Sequence, residues 1–326
     1  MARIRKILVA VKDTRARTQP AVQKAAQLAL ASGARLELFH AISDPVYVDA
    51  LTLAGQSVRQ LQRDWQQAHA KRLEKLAEGL RATGVTVETS VEWDFPAFEA
   101  ILRRASRIKA DLVVAERHAT RHIAAWALRF NDWELLRRAN VPVLLVKSRG
   151  SYDKPVVLAA IDPSHSFAKP AKLDTGILDA AGTVAKALGG TLHAIHAYAP
   201  ATLDIDRLDV NLPNLSTYIE TEAAAHAQST LDKALKDSGI APANRHLVAR
   251  HAVDAIPESA RKLGAGIVVM GAISRSGIKR LLVGNTAERI LDALPCDVLV
   301  VKPARFKAKV PRGKRGVQFM ATPLVM

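Results

Sequence analysis

Short apolar runs recur along this chain and alternate with longer segments in which apolar residues follow the helical period. Such runs are typical of strands buried on both faces of a parallel sheet. The runs predict strands over residues 5–11, 36–41, 85–91, 111–115, 142–146, 154–161, 191–197, 245–250, 267–270 and 297–301. The segments between them predict helices over residues 19–32, 57–82, 96–106, 132–139, 180–188, 217–238, 256–263 and 284–294. This alternation predicts α/β architecture with open parallel sheets.

The pattern restarts near residue 150, which indicates an internal duplication. Residues 110–114 match 265–269, and residues 141–147 match 296–302, both at a separation of 155 positions. Asp162 is matched with Asp13. The sequence therefore predicts two domains, over residues 1–149 and 150–304, followed by a basic flexible tail over residues 305–326.

A glycine-rich loop follows the buried strand at residues 267–270 and precedes a helix that opens at Gly284-Asn285-Thr286. Glycines let a backbone approach a phosphate closely, and the first N–H groups of a helix point toward an anion. The context of strand, glycine loop and helix predicts an anion site in the second domain.

The spacing of this loop resembles the ATP-binding signature of the universal stress protein family, in its tandem two-domain form. The signature has Gly, two residues, Gly, nine residues, Gly and then Ser or Thr. Here Ser274 stands in place of the second Gly, and Asn285 in place of the Ser or Thr. The resemblance covers residues 3–303 and implies a Rossmann-like fold, similar to the adenine nucleotide alpha hydrolases.

The resemblance also implies which residues bind the ligand, which would be ATP with Mg²⁺. Asp162, with Pro163 after it, would approach the adenine or ribose, and the backbone near Ala197 would meet the base edge. The phosphates would lie against Gly271, Ser274, Arg275, Gly277, Gly284, Asn285 and Thr286. An alternative stays open, in which Asp162 caps the next segment and the glycines serve only loop geometry.

The first half lacks this loop, since residues 116–122 contain no glycine. Side chains there would fill the space that a phosphate needs, so we expect a nucleotide at one site only.

Composition places the chain among soluble globular proteins, with 49% hydrophobic and 24% charged residues. Its single cysteine, Cys296, excludes an intramolecular disulfide and indicates a reducing, cytoplasmic compartment. Cys296 itself is expected to be a buried small side chain. The sequence contains no membrane-spanning run.

The net charge of +16 is unevenly distributed. Residues 1–150 carry 25 basic and 15 acidic side chains, residues 151–301 carry 15 and 16, and residues 302–326 carry seven and none. Without interleaved aromatic residues or a helix-turn-helix pattern, this charge predicts no specific binding of nucleic acid. The tail has no nearby acidic partner in sequence, and we expect it to be mobile.

The sequence contains no catalytic triad and no Walker A lysine, so no catalytic residue is assigned. His118 and His122 have a spacing that suits a metal if their loop is helical, but solvated loop histidines are the simpler interpretation, and no metal ligand is assigned. The sequence favours a stress-response regulatory protein, not an enzyme, that binds ATP or a related nucleotide with slow hydrolysis at most. The alternative is a scaffold or binding protein whose second-domain pocket holds another ligand or none. Its protein partners are not predicted.

The final strands of the two halves, at residues 142–146 and 297–301, are short and apolar. As unpaired edges of a sheet they would promote aggregation. In this family such strands pair across a two-fold axis. The resemblance therefore implies an internal pseudo-dimer, which allows a monomeric chain, with a homodimer as the other possibility.

Overall fold

The computed structural model describes residues 4–44, 46–48, 58–117, 133–164, 172–199, 215–272, 285–303 and 305–321. The chain divides into two compact units. The first domain consists of Ala2–Tyr152 and also takes in Phe306–Met326, whereas the second domain consists of Asp153–Arg305. The pairing expected between the final strands of the two domains stays a prediction.

Apart from a short strand at Val46–Val48, which the sequence did not predict, the first domain alternates strands and helices in the predicted order. Its elements are β1 (Lys6–Ala10), α1 (Pro20–Ser32), β2 (Arg35–Ile42), β3 (Val46–Val48), α2 (Val58–Arg81), β4 (Val87–Trp93), α3 (Ala97–Ile108), β5 (Leu112–Glu116), α4 (133–138) and β6 (Val143–Val146). Helix α1 ends where Gly33 takes the left-handed conformation, as the sequence predicts, and the Gly33 N–H donates to the Ala29 carbonyl.

The second domain repeats this order. Its elements are β7 (Val156–Ile161), α5 (Leu173–Ala187), β8 (Thr191–Tyr198), α6 (Leu215–Leu235), a 3₁₀ turn (Pro242–Asn244), β9 (Arg245–Ala249), α7 (Ala252–Lys262), β10 (Ala265–Gly271), α8 (Asn285–Ala293) and β11 (Asp297–Val301). Helix α5 begins at Leu173, earlier than the expected Ala180, and Gly176 lies inside it. A β-carbon at Gly176 would stand 3.7 Å from Val301, an ordinary van der Waals distance, so the packing of α5 on the sheet does not require glycine there.

Both sheets are parallel and have the same topology. The strand order is β4-β2-β1-β5-β6 in the first domain and β9-β8-β7-β10-β11 in the second. The strand order reverses beside β1 and beside β7, and in parallel sheets ligands bind beyond the carboxyl ends of the strands at this point. Most residues of the central strands are buried, as their apolar runs predict, and Cys296 is buried too.

Strand register corrects one match made from the sequence. Ala10 pairs with Ala115 in the first domain, and Ala160 pairs with Met270 at the corresponding position of the second. Asp162 therefore corresponds to Lys12, not to Asp13, since each lies two residues beyond the matched alanines. Sequence offsets alone missed this because loop insertions change the separation between the halves.

The tail contacts the first domain, which the sequence analysis did not expect. Its Lys314 forms an ion pair with Glu92 at 2.6 Å, and Arg315 forms one with Glu99 at 2.9 Å. Asn140 exchanges two hydrogen bonds with the backbone of Ala308, at 2.7 and 3.2 Å. The expectation that the tail has no acidic partner is wrong, because the partners lie some 200 positions earlier in the chain.

The last described residues of the tail form a strand that the sequence did not predict. Strand β12 (Phe319–Ala321) pairs in parallel with β3, joining Phe319 to Val46. Whether the rest of the tail is mobile stays a prediction.

Candidate functional sites

The carboxyl edge of the second-domain sheet brings together two of the residues predicted to bind a ligand. Strands β7 and β10 are neighbours, so Asp162 and Gly271 lie at the same edge. The Asp162 carboxylate accepts a hydrogen bond from the Ser164 hydroxyl at 2.7 Å, while its side chain keeps 29% of its surface exposed. The Asp162 N–H donates to the Asp174 carboxylate at 3.1 Å. These bonds hold the carboxylate at the edge with surface left for a ligand.

A buried histidine lies beside Asp162. His196 is fully buried near the end of β8, and its Nδ1 lies 4.0 Å from Oδ1 of Asp162. The predicted residues Ala197 and Pro163 are both half-buried at the same edge.

Gly271 has a structural reason to be glycine. A β-carbon there would lie 2.6 Å from Cδ2 and 3.0 Å from Cγ of Leu173, at the start of α5. Real β-carbons do not approach other atoms so closely, so the glycine permits α5 to pack against the end of β10. The sequence analysis assigned Gly271 only to phosphate contact.

The remaining predicted residues fall in two groups. Helix α8 begins at Asn285, as the sequence predicts, with Thr286 in its first turn. Ser274, Arg275, Gly277 and Gly284 lie outside the described residues, as do His118 and His122.

The first domain contains a cavity of about 480 Å³ that the sequence analysis missed. It opens at the carboxyl ends of β1, β2 and β5, between these strands and helices α2 and α3. The polar side chains that line it are Lys12, Asp13, Arg15, His40, Ser43, Asp44, His69, Arg72 and Glu116. Its larger apolar side chains are Phe39, Trp65, Phe98, Ile101 and Leu135. This volume is within the range of small-molecule sites.

Two stacked histidines form part of the cavity wall. The rings of His40 and His69 lie 4.5 Å apart between centroids and are nearly parallel. His40 Nδ1 lies 2.8 Å from the Val11 carbonyl, which can only accept, so Nδ1 carries the proton. His69 Nδ1 lies 2.9 Å from the Thr14 hydroxyl. A polar residue in the apolar run of β2 was the one sequence signal for this pair.

The histidine pair is uncharged at neutral pH. Burial lowers the pKa of His40. Burial, with the nearby charges of Arg72 and Arg15, lowers the pKa of His69 to about 4. Burial acts in the opposite direction on a carboxyl group, and it raises the pKa of Glu116 at the far side of the cavity.

Neither a metal-binding cluster nor a membrane-spanning helix is found in the part of the chain that the structure describes. Within the described ranges, no three His, Cys, Asp or Glu side chains are grouped so as to hold a metal ion. None of the helices in those ranges is both long and apolar enough to cross a membrane.

Two tandem domains with this topology define the class of protein. The model of the universal stress protein family matches residues 3–147 and again residues 157–302. The chain belongs to the universal stress protein family, in its tandem form.

Two relatives match this chain over nearly the full length of both proteins. The chain is 29% identical to Universal stress protein E of Escherichia coli K12 over 317 residues, which cover 95% of this chain and 98% of that protein. It is 25% identical to Universal stress protein E of Photorhabdus laumondii, with 96% and 100% covered. The crystal structure of a functionally unknown protein from Pseudomonas aeruginosa PAO1 is 26% identical and has a TM-score of 0.71, covering 92% of this chain and 93% of that one. These findings confirm the family and the fold class predicted from the sequence.

Proposed function

We propose that this chain is a stress-response regulatory protein that binds ATP or a related adenine nucleotide in its second domain, with slow hydrolysis at most. The observation that supports this most directly is the placement of Asp162 beside Gly271, at the point where strand order reverses. A partly exposed carboxylate suits the hydroxyl groups of a ribose. The motif that continues from Gly271 to the start of α8 supplies the glycines and helix N-terminus that suit phosphate.

The described residues fit a nucleotide better than they fit a resident metal. Asp162 and Asp174 are the carboxylates at this edge, and Asp174 already accepts the Asp162 N–H. Mg²⁺ would therefore reach the site on the phosphates of the nucleotide, which it prefers to protein cages. His196 is fully buried, which does not suit it to activate an attacking water.

Calorimetric titration of ATP tests this proposal. Asp162→Ala should weaken binding by about 1–3 kcal/mol, the range for a hydrogen bond to a charged group. Gly284→Trp should abolish binding, because an indole ring would fill the space beside the helix N-terminus. Asp13→Ala is the control, since it removes a carboxylate after β1 of the first domain. It should leave affinity unchanged, because we expect no nucleotide in that domain.

Ser274→Gly separates two roles of the serine. If Ser274 crowds the phosphate, the variant should bind ATP more tightly, whereas loss of a donated hydrogen bond should weaken binding. Undetectable binding at millimolar ATP, in both the native protein and Ser274→Gly, would contradict the proposal. It would favour the alternative of a binding protein whose second-domain pocket holds a different ligand or none.

A further inference from the structure

We propose that the first-domain cavity is a second binding site, which takes a small organic anion with one charged group on an apolar body. The site is separate from the nucleotide site proposed above, because all its lining residues belong to the first domain. The proposal rests on a buried guanidinium nitrogen of Arg72 that has no hydrogen-bond partner, with Arg15 near it, on the histidine pair and on the apolar interior.

Arg72 has a guanidinium nitrogen whose hydrogen-bonding capacity is unsatisfied. It projects from α2 and lines the cavity, and its Nη1 is buried without a hydrogen-bond partner. Arg15 also lines the cavity, and its guanidinium has no ion pair or hydrogen bond with any described residue. A buried guanidinium nitrogen without a partner is costly, and a carboxylate or sulfonate would satisfy it through a charge-assisted hydrogen bond.

The two histidines are neutral, so they add no charge of their own beside the anion. Arg72 and Arg15 both lie close enough to His69 to disfavour its protonation. The neutral ring of His69 stacks on His40, so neither ring adds positive charge beside the two guanidinium groups. His69 lines the cavity, and aromatic rings pack well against other aromatic rings.

The interior beyond the histidines is apolar. Phe39, Phe98 and Leu135 are buried, and Ile101 is half-buried beside them. Walls of this kind favour the burial of a hydrocarbon or aromatic body, at roughly 25 cal/mol for each Å² of apolar surface removed from water.

The charges at the cavity argue for one anionic group and not a polyphosphate. Lys12, Arg15 and Arg72 line the cavity together with Asp13, Asp44 and Glu116, so basic and acidic side chains are equal in number. The Asp13 carboxylate accepts the Arg15 N–H at 2.7 Å, which holds its charge at the mouth. Lys12 also occupies the position at which the second domain has Asp162, so the carboxylate suited to a ribose is missing there.

Two dyes of the same aromatic body test the proposal. 8-Anilinonaphthalene-1-sulfonate carries one anionic group, and N-phenyl-1-naphthylamine lacks it; both fluoresce when they enter an apolar site. In the full chain, Arg72→Gln should weaken binding of the sulfonate by about tenfold to a hundredfold, as expected for one hydrogen bond to a charged group. It should change binding of the neutral dye by less than about threefold, because its body makes only apolar contacts.

Control variants make the result specific to the cavity. Arg63→Gln removes a cation from the same helix, but Arg63 donates to Gln60 and does not line the cavity, so both dyes should bind unchanged. Ala68→Trp should fill the cavity and weaken both dyes. Saturating ATP should displace neither.

Three results would overturn the proposal. They are equal loss of both dyes in Arg72→Gln, sulfonate binding that survives Ala68→Trp, or displacement by ATP. Circular dichroism of each variant verifies that the fold is retained. Failure of ATP to bind the native protein would contradict the nucleotide proposal alone and leave this one intact.

Discussion

The Arg315 guanidinium of the tail donates to Oε1 of Glu99 at 2.9 Å and joins two residues 216 positions apart. Glu99 is almost fully buried, with 3% of its side chain exposed, whereas Arg315 keeps 58% exposed. Glu99 also lies 3.4 Å from the buried Arg103. The tail therefore completes a charge cluster that begins inside the first domain.

Arg315→Gln should lower the free energy of unfolding by about 0.5–1 kcal/mol, because the pair is largely exposed on the arginine side and Glu99 keeps Arg103. Urea denaturation at low and high salt measures this, and the loss should shrink as salt screens the pair. Arg312→Gln is the matched control, since Arg312 is exposed and has no ion pair among the described residues. An equal loss in both variants would contradict a specific role for Arg315.

Asp94→Asn should be far more damaging than a surface substitution. Asp94 is fully buried and paired with Arg103, which is 6% exposed, so the change leaves a buried guanidinium with less compensation. We expect a loss of about 3 kcal/mol. Glu74→Gln breaks the exposed pair with Arg81 and should cost less than about 1 kcal/mol. Similar midpoints for the two variants in denaturant would show that the buried pair contributes little.

Hydrogen exchange should be uneven along the tail. The Arg315 N–H donates to Asp94 at 2.9 Å, and the Ala308 N–H donates to Asn140 at 2.7 Å. These two amides should exchange more slowly than those of Lys307 and Lys309. Uniformly fast exchange over residues 307–317 would support a tail that is mobile throughout.

His69 should make the protein less stable as the pH falls below 6.5. Its pKa is lowered from 6.5 to about 4 in the folded state, chiefly by burial, with His40, Arg72 and Arg15 contributing and Asp44 opposing. Between these values the unfolded chain binds more protons than the folded chain, so stability rises with pH across this window and is lost toward acid.

His69→Asn should flatten this dependence, because asparagine can still bond to Thr14 but does not titrate. Denaturation midpoints measured from pH 6.5 down to about 4 test the change. An unchanged slope would mean that other groups, such as His40, control stability in this range.

Gly271→Ala should destabilise the second domain by about 1–3 kcal/mol, the usual effect of overpacking. The new methyl group would contact Leu173 at 2.6 Å. Leu173→Ala is destabilising by itself, but in that background the added cost of Gly271→Ala should shrink, because the obstructing atoms are gone. Gly79→Ala in α2, where nothing lies within 4 Å, should be neutral or stabilising. An equal cost of Gly271→Ala in both backgrounds would indicate that Gly271 acts through the loop that follows it.

Much of the fold follows from the sequence because parallel strands buried on both faces must be apolar throughout. β11 was predicted at its observed bounds, Asp297–Val301, for this reason. The start of α5 was not predicted. Glycine is a common loop residue, and Gly176 lies inside this helix. Asp162 and Gly271 were predicted together from the resemblance to the family, and the pairing of β7 with β10 places them at one edge.

The first-domain cavity could not be predicted from the sequence, because its lining residues come from elements that are far apart in the chain. His69 and Arg72 lie on α2, 29 or more residues from His40, on a helix whose polar residues resemble a solvent-exposed face. Only the packing of α2 beside the strand ends brings them to His40. The partners of Lys314 and Arg315 were missed similarly, because Glu92 and Glu99 carry no local sign of a distant basic segment.

The contacts of the tail with the first domain affect when that domain can complete its folding during synthesis. The acidic groups of Asp94 and Glu99 leave the ribosome long before Lys314 and Arg315 are synthesised. The first domain therefore emerges, and begins to fold, with this cluster incomplete, while the whole second domain is translated. Its contacts with Lys314 and Arg315 form only after the second domain has been made, so the domain that is made first is completed after the second.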